Sequence, residues 1–223
     1  MNAWIANATR NQLTTVSMPI DPATQLAVTS AIAMKAPWST PFDVKETKNA
    51  PFHVEPKRDV TVRMMKRERA YVPYARRDGV QLLELPYIDP DLSMIVILPD
   101  AVHGLAAIEA KLTPQLLGKW IARVSEQAVD VFLPRFRSQT SMDATADIRA
   151  LANEPQLGGA FTGARIEVDE RGTTAAADFD ITLVTSTSIP PPPPVFRADH
   201  PFLYLVRSKA TGNLYFLGRV VQP

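Results

Sequence analysis

The sequence predicts an α+β fold, rich in strands and carrying a few short helices. Three observations predict it. Between residues 52 and 99 short apolar stretches follow one another, separated by turn pairs such as Asp78-Gly79 and Asp89-Pro90. Residues 105–124 switch to helical spacing. Twenty prolines against nine glycines fit stiffened connections between strands rather than disorder, because apolar runs separate them. With 223 residues and 46% hydrophobic content the chain can bury a real core, and a single domain over residues 1–223 is expected.

In chain order, Trp4, Ile5 and Ala8 stand at helical spacing and read as the tail of an amphipathic helix. Residues 25–34, QLAVTSAIAM, form a nearly continuous apolar run and read as a strand buried on both faces. In residues 35–42, KAPWSTPF, the prolines forbid a helix around Trp38 and Phe42. HVEPKRDVTVRMM, AYVPYA, VQLLELPY and LSMIVILP then read as separate short strands of a meander or barrel-like sheet. Leu105, Ile108 and Leu112 mark one short helix, and Thr113 caps a second with Pro114 at its first position. VDVFLPRFR alternates again, residues 143–151 can cap and form a helix, and residues 153–163 are turn-rich. Two apolar strands, residues 202–206 and 214–221, close the chain as a hairpin over residues 208–213.

Composition narrows the chemistry. A net charge of +1 offers no general attraction to nucleic acid or an anionic membrane, and neither partner is expected. The absence of cysteine excludes disulfide and thiol chemistry. Residues 1–12 lack the apolar core of a signal peptide, and no run reaches the length needed to span a bilayer, so the chain reads as soluble and without a leader. His53, His103 and His200 are scattered in strand and loop contexts and read as surface or structural residues. No activated nucleophile turn, metal-ligand spacing or glycine-rich phosphate loop occurs, so no catalysis, metal or cofactor is expected. The basic run Arg63, Lys66, Arg67, Arg69, Arg76 and Arg77 is interrupted by Glu68 and Asp78 and reads as a solvated face.

The most informative stretch is residues 167–194, EVDERGTTAAADFDITLVTSTSIPPPPP. Gly172 can take backbone angles closed to other residues, which suits a pivot. Beyond it the residues alternate with period two. Thr173, Ala175, Ala177, Phe179, Ile181 and Leu183 make a nearly apolar face, whereas Asp178 and Asp180 lie on the other. Such a segment gains free energy by entering a sheet. The five prolines lack the N–H a ladder needs, so the insertable part stops near Ile189. They read as an extended link between strands, with an aromatic-groove ligand as the other option. From its own residues the stretch suits an edge strand and a mobile loop equally well.

Beyond these local readings, NAWIANAT, LAVTSAIAMKAPWSTPFD, VRMM, LLELPYIDPDLSMIVILP, VDVFLPRFR, EVDERGTTAAA and HPFLYLVRSKATGNLYFLGRVV resemble, in order, motifs of the serpins, inhibitors of serine proteases. The resemblance implies the multi-sheet serpin fold, with residues 172–195 as the reactive-centre loop. Serpins are themselves the standing example of a loop added to its own sheet. A protease would attack the loop and form an acyl-enzyme. The loop would then enter as a strand between residues 25–34 and residues 166–170. At about 3.3 Å per residue, a dozen or so inserted residues carry the protease about 40 Å.

By resemblance, Glu170 stands at the loop base and pairs with Arg135, Trp38 packs where the loop first enters, and Gly172, Thr173, Thr174, Ala175, Ala176 and Ala177 form the hinge. Counting from Gly172 puts the attacked bond between Ser186 and Thr187. Counting back from His200-Pro201-Phe202 lands a few residues later, among prolines, where proteases cut poorly, so the first count is preferred. A small residue at Ser186 suggests an elastase-like or subtilisin-like target.

The departures from the family are specific. The chain corresponds to the C-terminal part of the fold, a little over half, so the fold is expected to be truncated at its N-terminus. It passes from Phe161 to Arg165 where the family places a longer segment with a histidine, so the strand leading into the loop is expected to be cut short. Ser30 replaces a usual asparagine, and Thr174 and Asp178 replace an acid and a small residue. The leading expectation is a suicide-substrate inhibitor, monomeric and, by resemblance, extracellular. The alternatives are a non-inhibitory binding or carrier protein, or an inactive fragment that self-associates through open sheet edges.

Overall fold

The computed structural model describes residues 2–15, 24, 26–152, 157–173 and 191–223. In chain order these form α1 (Asn2–Ala8), β1 (Leu26–Ala33), β2 (Ala36–Pro37), a 3-10 turn (Val44–Glu46), β3 (Lys48–Glu55), β4 (Arg58–Arg77), β5 (Val80–Pro86), β6 (Leu92–Pro99), α2 (Leu105–Glu109), α3 (Pro114–Ile121), β7 (Ser125–Pro134), β8 (Phe136–Asp143), α4 (Thr145–Ala152), β9 (Leu157–Val168), β10 (Gly172–Thr173), β11 (Val195–Arg197), β12 (Phe202–Ser208) and β13 (Leu214–Val220). The fold is α+β, strand-rich, with several sheets and short helices. Backbone contacts divide the chain into two units, Met1–Lys35 with Arg137–Glu167, and Ala36–Phe136 with Val168–Pro223.

The first unit holds a sheet of order β1-β9-β8. Among the described residues, Ile5 of α1, Leu13 and Phe161 form a buried cluster, against which Ala31 packs. The Thr9 hydroxyl donates to Ile5 O at 2.7 Å and accepts from Leu13 N at 3.0 Å, which closes the end of α1. β1 is not buried on both faces. Leu26 and Val28 are 47% and 48% exposed, whereas Ala31, on the other face of the alternating strand, packs on the buried cluster.

β9 also departs from expectation. It runs through the glycine-rich stretch to a full twelve residues and pairs in parallel with β1 from Leu26↔Leu157 to Ala33↔Arg165. Turn propensity in Gly158, Gly159 and Gly163 yields to the ladder, since strand preference depends on which partner is at hand. Residues 157–163 are therefore strand rather than turn.

The second unit is an eight-stranded sheet of order β11-β7-β4-β5-β6-β12-β13, with β3 on β4. β6 is buried on both faces. On one face Val80, Leu82, Ile95, Ile97, Leu203 and Leu205 pack with Leu117 and Trp120 of α3. Thr113 caps α3 by accepting from Leu116 N at 3.1 Å, with Pro114 in the first turn. Asp78 and Gly79 both have positive φ, 57° and 78°, as a two-residue hairpin turn between β4 and β5 requires. VRMM and AYVPYA do not form separate strands. They join in the twenty-residue β4, which absorbs its irregularity in a bulge between Arg67 and Ala70, with Arg69 at φ 45° and its N–H donating to Asp130 Oδ1 at 2.8 Å.

The candidate hinge site

The site lies where β9 ends and the chain reverses into β10. Asp169 and Gly172 exchange backbone hydrogen bonds of 3.0 and 3.2 Å, and Arg171 N donates to Asp169 Oδ1 at 2.8 Å, so the reversal is tight. Gly172 has φ 132°. A Cβ there would stand 2.4 Å from Ala36 O and 2.6 Å from Pro37 Cα, both backbone atoms, so only glycine fits.

Residues 36–42 form the wall behind the reversal. Gly172 and Thr173 pair antiparallel with Pro37 and Ala36. Trp38 N donates to Arg171 O at 3.0 Å, Trp38 Nε1 to Asp169 O at 3.0 Å, and Phe42 N to Glu170 O at 2.8 Å. The Trp38 ring is buried and stacks on Tyr87, with centroids 4.6 Å apart and planes 11° from parallel. The Tyr87 and Thr173 hydroxyls share a hydrogen bond of 3.0 Å. Burial pushes the Tyr87 phenol up, against a smaller opposing effect of that bond.

Glu170 is the buried charge of the site, 3% exposed. Its Oε1 accepts from Arg135 Nε at 2.8 Å, Arg135 Nη2 at 2.7 Å and the Thr47 hydroxyl at 2.5 Å. Burial alone would raise this carboxyl. The bonds from Arg135 and Thr47 outweigh that and hold it below the usual carboxylate range. Arg135 is itself placed by its N–H to Arg63 O at 2.9 Å, between β7 and β8. Beside the site, Arg67 lies over the Phe42 ring at 5.0 Å, and burial lowers its guanidinium to about 10.

A family profile described as "Serpin (serine protease inhibitor)" matches residues 1–223. The chain belongs to the serpin family. It is 31% identical over 245 residues to antithrombin-III of Mus musculus and 33% identical over 249 residues to the leukocyte elastase inhibitor of Sus scrofa. Each alignment takes in the whole of this chain, which spans 52% of the first relative and 65% of the second. Among solved structures, uncleaved ovalbumin matches all of this chain with 61% of its own, at 26% identity and a TM-score of 0.81.

Of the residues assigned to the hinge and its support in this serpin, Glu170, Gly172, Thr173, Trp38 and Arg135 stand together. Thr174, Ala175, Ala176, Ala177, Ser186 and Thr187 lie outside the described residues. Further along, Pro194 O accepts from Asp130 N at 2.9 Å, and Val195, Phe196 and Arg197 pair in parallel with β7. Tyr87, Thr47 and Phe42 were not singled out by sequence reasoning. Their partners are distant in the chain, and no local spacing marks them. His200 is buried with Nδ1 facing Asp199 Oδ1 and Nε2 facing Pro99 O, both at 2.8 Å, which suits a structural role.

Proposed function

We propose that this chain acts as a serpin-type inhibitor of serine proteases, through cleavage of residues 172–195 and insertion of the loop's N-terminal part as a strand. The observation that carries this reading is the seated hinge. β9 runs parallel to β1, and the chain then reverses at Glu170 into β10. Gly172 and Thr173 pair antiparallel with Pro37 and Ala36, and the residues that follow alternate with period two as an inserting strand would. The apolar face from Thr173 to Leu183 would supply the burial, and the attacked bond is that between Ser186 and Thr187.

In this reading Arg135 and Glu170 anchor the stationary end of the loop, while Trp38 fills the place where the strand begins. The kinship with the leukocyte elastase inhibitor and the small Ser186 favour an elastase-like or subtilisin-like protease. Incubation with both kinds of protease, followed by denaturing electrophoresis, is expected to give a denaturant-resistant complex. Cleavage without a complex overturns the inhibitor reading. The half-exposed Leu26 and Val28 favour a second reading, an inactive serpin chain that self-associates. A clean monomer by size measurement at low concentration removes it.

A further inference from the structure

We propose that the Tyr87 hydroxyl is a positioning group for loop entry, holding Thr173 as the first seated residue of the inserting strand. The inference rests on the inhibitory reading above and assigns a role to a residue outside the loop. Tyr87 and Thr173 are 1% and 0% exposed, and their hydroxyls lie 3.0 Å apart. No water competes for either group at that burial, so each hydroxyl depends on its protein partners. Two ties fix the Tyr87 ring. It stacks on Trp38 at 4.6 Å, and its backbone bridges Trp38 while Tyr87 N donates to Leu92 O at 3.1 Å. Among the described residues, Thr173 is tied by its pairing with Ala36 and by this hydroxyl bond.

The consequence concerns the rate of entry. A strand adds to a sheet most readily from an end that is already in register, since the first contacts carry the ordering cost and later ones extend them. Gly172 and Thr173 are that end, and glycine supplies no side chain to hold it. The Tyr87 hydroxyl therefore keeps the seed in place while the acyl-enzyme lasts. Without it the seed frays, entry slows, and more of the protease completes hydrolysis and leaves.

The test compares wild type with Tyr87→Phe, Thr173→Val, Thr173→Ser and the double variant Tyr87→Phe with Thr173→Val. Two quantities are read against an elastase and a subtilisin: the ratio of denaturant-resistant complex to cleaved product, and the thermal resistance gained after cleavage. Tyr87→Phe and Thr173→Val are each expected to shift the ratio toward product by roughly five- to tenfold, the scale of one buried neutral hydrogen bond. The double variant is expected to be no worse than the poorer single one, and Thr173→Ser, which keeps the hydroxyl, to stay close to wild type. A merely structural role would lower the melting temperature of the uncleaved forms and leave the ratio unchanged, and that result overturns the proposal while the inhibitory reading stands. A wild type that gains no thermal resistance on cleavage and forms no complex overturns both.

Discussion

At the hinge, Trp38, Tyr87, Glu170 and Thr173 are nearly fully buried and joined by stacking, a charge pair and hydroxyl bonds. In the sheet β1-β9-β8, by contrast, Ala27 faces Gly159, Val28 faces Ala160, Ser30 faces Thr162 and Ala31 faces Gly163, with larger residues in pairs such as Leu26 and Leu157 or Thr29 and Phe161. Cross-strand contacts stabilise a sheet through side-chain area, and the four small pairs offer little. The candidate hinge is tied by side chains throughout, while half of the β1 to β9 ladder has little beyond its backbone bonds.

The largest effect that would sharpen the contrast is at Trp38. Trp38→Ala removes the stack on Tyr87 and the bond to Asp169 O from a site only 1% exposed. A loss of about 3–5 kcal/mol in unfolding free energy is expected by urea denaturation, as for other buried Trp truncations. A loss below about 1 kcal/mol would mean the hinge is as loosely built as the sheet.

Gly172 and Gly79 make the next comparison, since both have positive φ and only one is crowded. Gly172→Ala drives a Cβ into Ala36 O and Pro37 Cα, backbone atoms that cannot yield. It is expected to cost about 2–3 kcal/mol. Gly79→Ala has nothing within 4 Å of the added carbon, and only the strain of φ 78° remains, about 1 kcal/mol. Equal values in thermal or chemical denaturation would show that the close backbone approach at the hinge has no consequence.

Arg135→Gln leaves Glu170 buried with the Thr47 hydroxyl as its remaining side-chain partner, and about 2 kcal/mol is expected to be lost at neutral pH. The same pair predicts an acid limit. The Glu170 carboxyl is depressed in the folded state, so its stabilisation is fully present above the ordinary value near 4.5 and disappears as pH falls through the folded value. Melting temperatures recorded below about pH 4.5 should therefore fall more steeply in wild type than in Glu170→Gln, which cannot titrate. Parallel curves would show that Glu170 is not the group that couples hinge stability to acid.

Much of this could be read from the residues themselves. The Thr113-Pro114 cap, the Asp78-Gly79 turn and the closing hairpin have local chemistry that leaves few options. The pairing of Glu170 with Arg135 and the place of Trp38 came with the serpin resemblance, not with any spacing. What sequence reasoning missed depends on partners far along the chain. β4 stays one strand because a bulge at Arg69 absorbs the break, and β9 extends through glycines because β1 offers it a ladder. Tyr87 enters the site through a ring stack and a hydroxyl bond to residues on other segments.

The smallest expected effect bears on the sheet itself. Val28→Thr keeps the β-branched shape and adds a hydroxyl at a position 48% exposed, where water can satisfy it. A change below about 0.5 kcal/mol is expected. Val72→Thr makes the same replacement in β4 at a position 3% exposed, and there the hydroxyl loses water, with about 1–3 kcal/mol expected if it finds no partner. The difference between the two reports how far each strand face is covered, independent of backbone pairing. If Val28→Thr proved as costly as Val72→Thr, β1 would be packed on that face in solution, as self-association would make it. The cost would then depend on protein concentration, and dilution would separate a strand covered by a second copy from one covered within its own chain.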